Sequence, residues 1–147
     1  MTDSELIEAL AAALRAYATG PLSDCEVHEW AQLGMEDADG SVVVNVEEGE
    51  QEAIAIGEQL QDALTISITG TLAHADTQAS RRNIVTLREQ IVSVLRQNRT
   101  LTAGGENART NGRLPIRWAY PNDADGERWK RHCVVMVTYE KTPDAAS

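Results

Sequence analysis

The hydrophobic pattern changes period partway along this chain, and that change predicts most of its architecture. Over residues 77–97, Ile84, Leu87, Ile91, Val94 or Leu95, and then Asn98 follow one stripe at helical spacing. A helix of that length spans roughly 30 Å, and Asp76 or Thr77 is placed to cap it. Arg81, Arg82, Arg88, Arg96 and Arg99 fall off the stripe and line its flanks. Residues 128–140 alternate instead, with Cys133, Val135, Val137 and Tyr139 on one side, as in a half-buried closing strand. The two segments each have one apolar face, and each can cover the other.

The first half carries the same two periods. Leu6, Ile7, Leu10, Leu14 and Tyr17 predict a helix that begins at a cap on Asp3 or Ser4 and ends at Gly20-Pro21, with alanines at 9, 11, 12, 13 and 16 favouring it. Residues 25–33 and 41–46 read as strands, the second from its β-branched run after Asp39-Gly40. Glu47, Glu48, Glu50 and Glu52 surround Gly49 and read as an acidic turn, with residues 53–56 pairing back as a short hairpin partner. Residues 64–72 alternate cleanly, with Leu64, Ile66 and Ile68 on one face and Thr65, Ser67 and Thr69 on the other. After the long helix, residues 100–105 read as its exit and 106–112 as a polar loop. Residues 113–120 read as a strand entered at Pro115, residues 121–126 as a turn and 142–147 as a loose tail. The order α-β-β-(β)-β-α-β-β predicts an α+β fold, a single mostly antiparallel sheet with the two main helices packed on one face.

At 147 residues the chain fits one domain spanning 1–147. Phe is absent and aromatics make up 4% of residues, so Leu, Ile, Val and Ala must fill a thin core that a neighbouring subunit would help complete. The net charge of −10 is divided unevenly. Residues 1–79 hold one basic and sixteen acidic residues, net −15, whereas residues 80–147 hold twelve basic and seven acidic, net +5. Such polarity suits either two solvated faces or head-to-tail packing of like copies. A sequence pI near 4.7 opposes general nucleic-acid binding. The acidic start of the chain has the wrong sign for a targeting segment, and its longest apolar run is too short to cross a bilayer. These features predict a soluble protein made in a reducing compartment.

Candidate chemistry is sparse. Cys25 and His28, and likewise His132 and Cys133, sit an odd number of positions apart, so a regular strand points each pair to opposite faces. That geometry disfavours both a zinc site and a Cys–His nucleophile. Gly104-Gly105 follows a helix, whereas a phosphate-cradling loop precedes one. No catalytic residue, metal or cofactor is expected. The arginines read either as a solvated helix face or as a surface for an acidic protein partner. Trp30, Trp118 and Trp129 read either as core or as interface anchors.

Several segments together resemble the tail-terminator, or tail-completion, proteins of long-tailed bacteriophages. They are the helix with Leu6-Ile7 and Leu10, the strand ending Ile66-Ser67-Ile68-Thr69-Gly70, the helix from Arg81 through Leu95, the break from Asn98 to Gly105, and the final Val135-Met136-Val137-Thr138-Tyr139. The resemblance covers most of the chain and includes no catalytic signature. It implies a non-enzymatic virion subunit that forms a ring, a hexamer, on the head-proximal end of the tail tube. Such a ring would contact the tail tube protein and the head-completion or connector proteins, with DNA only as passing cargo. Under that resemblance Arg81, Arg82, Arg88, Arg96, Arg99 and Trp129 become candidates for a subunit or partner interface. Glu47, Glu48, Glu50 and Glu52 become a candidate lumen-facing turn. A head–tail stopper or adaptor, and a small cytoplasmic α+β enzyme or ligand-binding domain using Cys133 or His132, are the alternatives.

Overall fold

A computed structural model describes residues 1–30, 40–55, 59–73, 77–121 and 130–142, although the side chains at 52–55, 59, 73, 77–80 and 130 are outside that description. Helix α1, Asp3–Arg15, is capped by Thr2, whose hydroxyl accepts a hydrogen bond of 3.1 Å from the Glu5 amide. The cap therefore sits one residue before Asp3, which instead places its charge in the first turn. The helix stops well short of Gly20 and buries Leu6, Ile7, Leu10, Ala11 and Leu14. Gly20, at φ +73°, opens the single-turn α2, Gly20–Ser23. A side chain there would collide with Gln90, which ties this turn to the next helix by accepting from the Leu22 amide at 2.9 Å and donating to the Thr19 carbonyl at 3.2 Å. Helix α3 spans Thr77–Gln97, as its apolar stripe predicts.

Seven strands are described: β1 Glu26–Glu29, β2 Gly40–Ala55, β3 Gln59–Ala73, β4 Thr100–Ala103, β5 Glu106–Thr110, β6 Arg117–Ala119 and β7 Lys130–Lys141. Their order is β1-β2-β3-β7-β5-β4, with β6 also paired to β7. Among the described residues only the β1–β2 pairing is parallel. The fold is thus α+β with a mostly antiparallel sheet, larger than the sequence reading and served by three helices. The strand expected over 25–33 ends at Glu29, where Trp30 adopts φ +65°, and its last residues lie outside the description.

Three segments depart from expectation. The acidic stretch is not a turn: β2 continues unbroken through Glu47–Glu52 to Ala55, and residues 53–55 belong to it rather than to a separate hairpin partner. Glu and Gly are poor strand formers, but β3 supplies a partner for nearly the whole length of β2 and overrides that preference. The exit of α3 and the polar loop after it are instead the two-stranded β4–β5 hairpin. Gly104 (φ +59°) and Gly105 (φ +81°) form its two-residue turn, and Ala103 pairs with Glu106. The strand expected over 113–120 shrinks to the three residues of β6.

Alternation along β2, β3 and β7 forms the core. Val44, Ile68 and Val135 lie in register on adjacent strands, as do Val46, Ile66 and Val137, and Leu64 lies opposite Tyr139. These residues join α1 and α3 in one hydrophobic cluster. Helix α1 packs on β1, β2 and β4, and α3 packs on β3 and β7. At Gly70 the approach is so close that an added Cβ would lie 2.7 Å from Leu87 Cδ2 and 2.9 Å from Cys133 Sγ.

Candidate functional site

The acidic half of the surface is organised by a register slip. Through Val46, the even-numbered residues of β2 face the core: Val42 and Val44 are fully buried and Val46 packs against the cluster. A regular ladder would then set Glu48 opposite Leu64, pointing inward. The slip between Val46 and Glu48 sets it opposite Thr65 instead, and Glu50 opposite Ala63, so both carboxylates face solvent. Glu47 is the extra residue, exposed, with its carboxylate 2.6 Å from the donating Ser67 hydroxyl. Glu52 follows in the same strand, paired with Gln61, its side chain outside the description. Because β1 pairs only with Ser41–Val44, β2 from Asn45 onward is a sheet edge among the described residues. A row of carboxylates along such an edge opposes indiscriminate strand pairing.

Three arginines of the basic half gather at the opposite side of the same sheet. Where α3 runs into β4, Asn98 closes the helix by donating from its side-chain amide to the Val94 carbonyl at 2.8 Å. The buried Tyr139 hydroxyl donates to the Asn98 carbonyl at 2.9 Å and pins that end to β7. Arg96 and Arg99 suit a helix C-terminus electrostatically. Together with Arg109 on β5 they rim a cleft of about 460 Å³ whose floor includes Leu95, Ile116 and Val137. All three arginines are exposed, and none makes an ion pair among the described residues. Glu140 lies opposite Arg109 in register, but its carboxylate accepts from Gln61 and Asn111 instead. Arg109 was not legible as a site residue, because its segment reads as a loop. The Gly-Gly pair between two strand-like runs was the available signal for the hairpin that carries it.

The remaining candidates scatter. Arg81 and Arg82 are exposed on the first half of α3. Arg88 is occupied within the chain: its Nε donates to the Tyr120 hydroxyl at 3.0 Å and its guanidinium lies 4.3 Å over the Trp118 ring. Trp30 and Trp118 are 38% and 43% exposed, which removes the core reading for these two, while Trp129 lies outside the described residues.

The cysteine and histidine candidates do not converge. Cys133 is fully buried beside Gly70 and Leu87, and burial pushes its thiol up to about 12. Cys25 is raised to about 11, by burial first and then by the Asp24 carboxylate. His132 points away from Cys133 and shares a hydrogen bond of 3.0 Å with Thr71, and His28 lies 3.3 Å from Glu26. Both thiols are protonated at neutral pH, the reverse of what a nucleophile requires. Among the described residues no cluster of three or more His, Cys, Asp or Glu is placed to hold a metal, and no helix is long and apolar enough to cross a membrane.

No family model matches the chain, and no curated protein matches it. A solved structure does. The chain is similar to one in the virion of a native gene transfer agent particle, with a TM-score of 0.54 and 12% identity over 95% of this chain and 96% of that one. At that identity the likeness shows the fold alone: this chain shares, end to end, the architecture of a component of that particle.

Proposed function

We propose that the chain is a structural subunit of a phage-like virion with no enzymatic role. In this reading it acts as a tail terminator, forming a hexameric ring on the head-proximal end of the tail tube and joining that tube to the connector. The observation that carries the proposal is the fold likeness to a virion chain, which leaves almost nothing of either chain unmatched. The protonated thiols and the separated histidines support a role exercised through surfaces. Exposed Arg81, Arg82, Arg96 and Arg99 are then contact residues for the next subunit, the tube or the connector. Glu47, Glu48 and Glu50 lie on a sheet edge rather than in a turn. That placement favours an intersubunit role for them over lining the channel through which DNA passes.

The likeness does not distinguish a terminator from a stopper or adaptor, and one experiment does. Purified protein is mixed separately with purified tail tubes and with portal complexes, and both are imaged by electron microscopy. Capping of one end of each tube supports the terminator. Density on the portal alone replaces it with the stopper or adaptor, and density on neither sinks both.

A further inference from the structure

Resting on the ring reading above, we propose that the acidic edge of β2 in one copy docks into the arginine cleft of the next. Glu48 and Glu50 would face Arg96, Arg99 and Arg109. Three observations converge on this pairing. First, the two patches occupy opposite flanks of one sheet. In the order β1-β2-β3-β7-β5-β4, the acidic part of β2 lies on one side of the β3–β7 pair and the arginine-bearing β5 and β4 flank lies on the other. A contact between opposite flanks is heterologous, the kind that forms a ring when its rotation closes.

Second, neither patch is neutralised by an ion pair within the chain among the described residues, although Glu48 shares a shallow cleft with Arg117. Glu48 and Glu50 are exposed and, like the three arginines, make no ion pair among the described residues. The register slip at Glu47 is what turns both glutamates outward, and the engagement of Glu140 by Gln61 and Asn111 leaves Arg109 without its cross-strand partner. Third, the cleft has an apolar floor beneath its charged rim. Contact there would exclude water and strengthen pairing between the rims. The occupant is therefore a second copy of this chain, recognised by carboxylates on an extended edge.

Charge swapping tests the docking. Self-association is measured by sedimentation velocity at low salt for the wild type, for Glu48→Lys/Glu50→Lys, for Arg96→Glu/Arg99→Glu, and for an equimolar mixture of the two variants. All four positions are exposed, and circular dichroism checks that each variant folds. Each reversal alone should weaken association about tenfold or more. The mixture should recover it, because each variant then offers the sign that the other lacks. Association unchanged by either reversal, or a mixture that stays apart, overturns the docking while leaving the ring reading intact. A wild-type chain that stays monomeric up to hundreds of micromolar overturns both. Arginine reversal that weakens retention of DNA while leaving association untouched would assign the cleft to phosphates and also overturn the docking.

Discussion

Glu47 accepts a 2.6 Å hydrogen bond from the Ser67 hydroxyl at the point where β2 slips by one residue against β3. The two partners are not equivalent. Ser67 is buried at 4% exposure, whereas Glu47 is exposed. Glu47→Ala strands a buried hydroxyl and should cost about 1–2 kcal/mol. Ser67→Ala releases a carboxylate that water rehydrates, and should cost less than about 1 kcal/mol. Urea midpoints of the two variants check the order. A more stable Glu47→Ala than Ser67→Ala would show that the bond does not hold the slip.

At Gly70 α3 presses closely on the sheet. Gly70→Ala would place its methyl within 2.7 Å of Leu87 Cδ2, in a core with no slack, and should destabilise by about 1–3 kcal/mol. Adding Leu87→Ala should cost less in that background than in the wild type, because it removes the clashing methyl. The rescue should stay incomplete, since Cys133 Sγ remains 2.9 Å away. A double-mutant cycle read from denaturation curves measures the coupling. Strict additivity would mean the backbone yields instead.

How legible the chain was depended on whether a segment's own residues decide its state. Helix α3 announced itself, because Ile84, Leu87 and Ile91 repeat at helical spacing and Asn98 closes the stripe, while the cap expected at Asp76 lies outside the described residues. The alternation of Cys133, Val135, Val137 and Tyr139 likewise marked β7. The stretch from Glu47 to Glu52 was misread because its strand character comes from β3, a partner that local propensity does not see. The same is true of the site. Arg96 and Arg99 were visible as helix-flank charges, but the cleft exists only because the Gly104-Gly105 turn folds Arg109 back beside them. The opposition of acidic and basic flanks was present as a charge division along the chain. The strand order that converts it into two edges of one sheet was not.

Lys141 is the one buried Lys or Arg side chain among the described residues, at 4% exposure. Its ammonium donates to the Met1 carbonyl at 3.0 Å and lies 3.1 Å from Asp3 and 3.3 Å from Asp62. Lys141→Met keeps the length of the side chain but leaves Asp62, 21% exposed, facing an apolar group. The cost should be about 2 kcal/mol, below that of breaking a fully buried pair because both carboxylates keep some water. Asp3 is half exposed, so Asp3→Asn should cost no more than about 0.5 kcal/mol. Thermal melts of the two variants separate these values, and equal losses would contradict the geometry.

The two cysteines predict how stability depends on alkaline pH. Burial raises the Cys133 thiol to about 12 and the Cys25 thiol to about 11, from 9.0 when exposed, and burial also raises the Tyr139 hydroxyl. Well below pH 9 the thiols are protonated in both folded and unfolded chains, so stability there is insensitive to them. Between pH 9 and 11 only the unfolded chain releases these protons. The native state then holds more protons than the unfolded one, and stability falls as pH rises. Each cysteine contributes a slope of about 1.4 kcal/mol per pH unit once the unfolded thiol is ionised, and Tyr139 adds to the fall above about pH 10. Cys133→Ala should remove one of these contributions and flatten the decline without changing its onset. Urea denaturation at pH 8, 9.5 and 10.5 measures it. A wild-type curve that stays level to pH 10.5 would mean that the Cys133 thiol is not held under α3, and the close contact with Gly70 and Leu87 would be wrong.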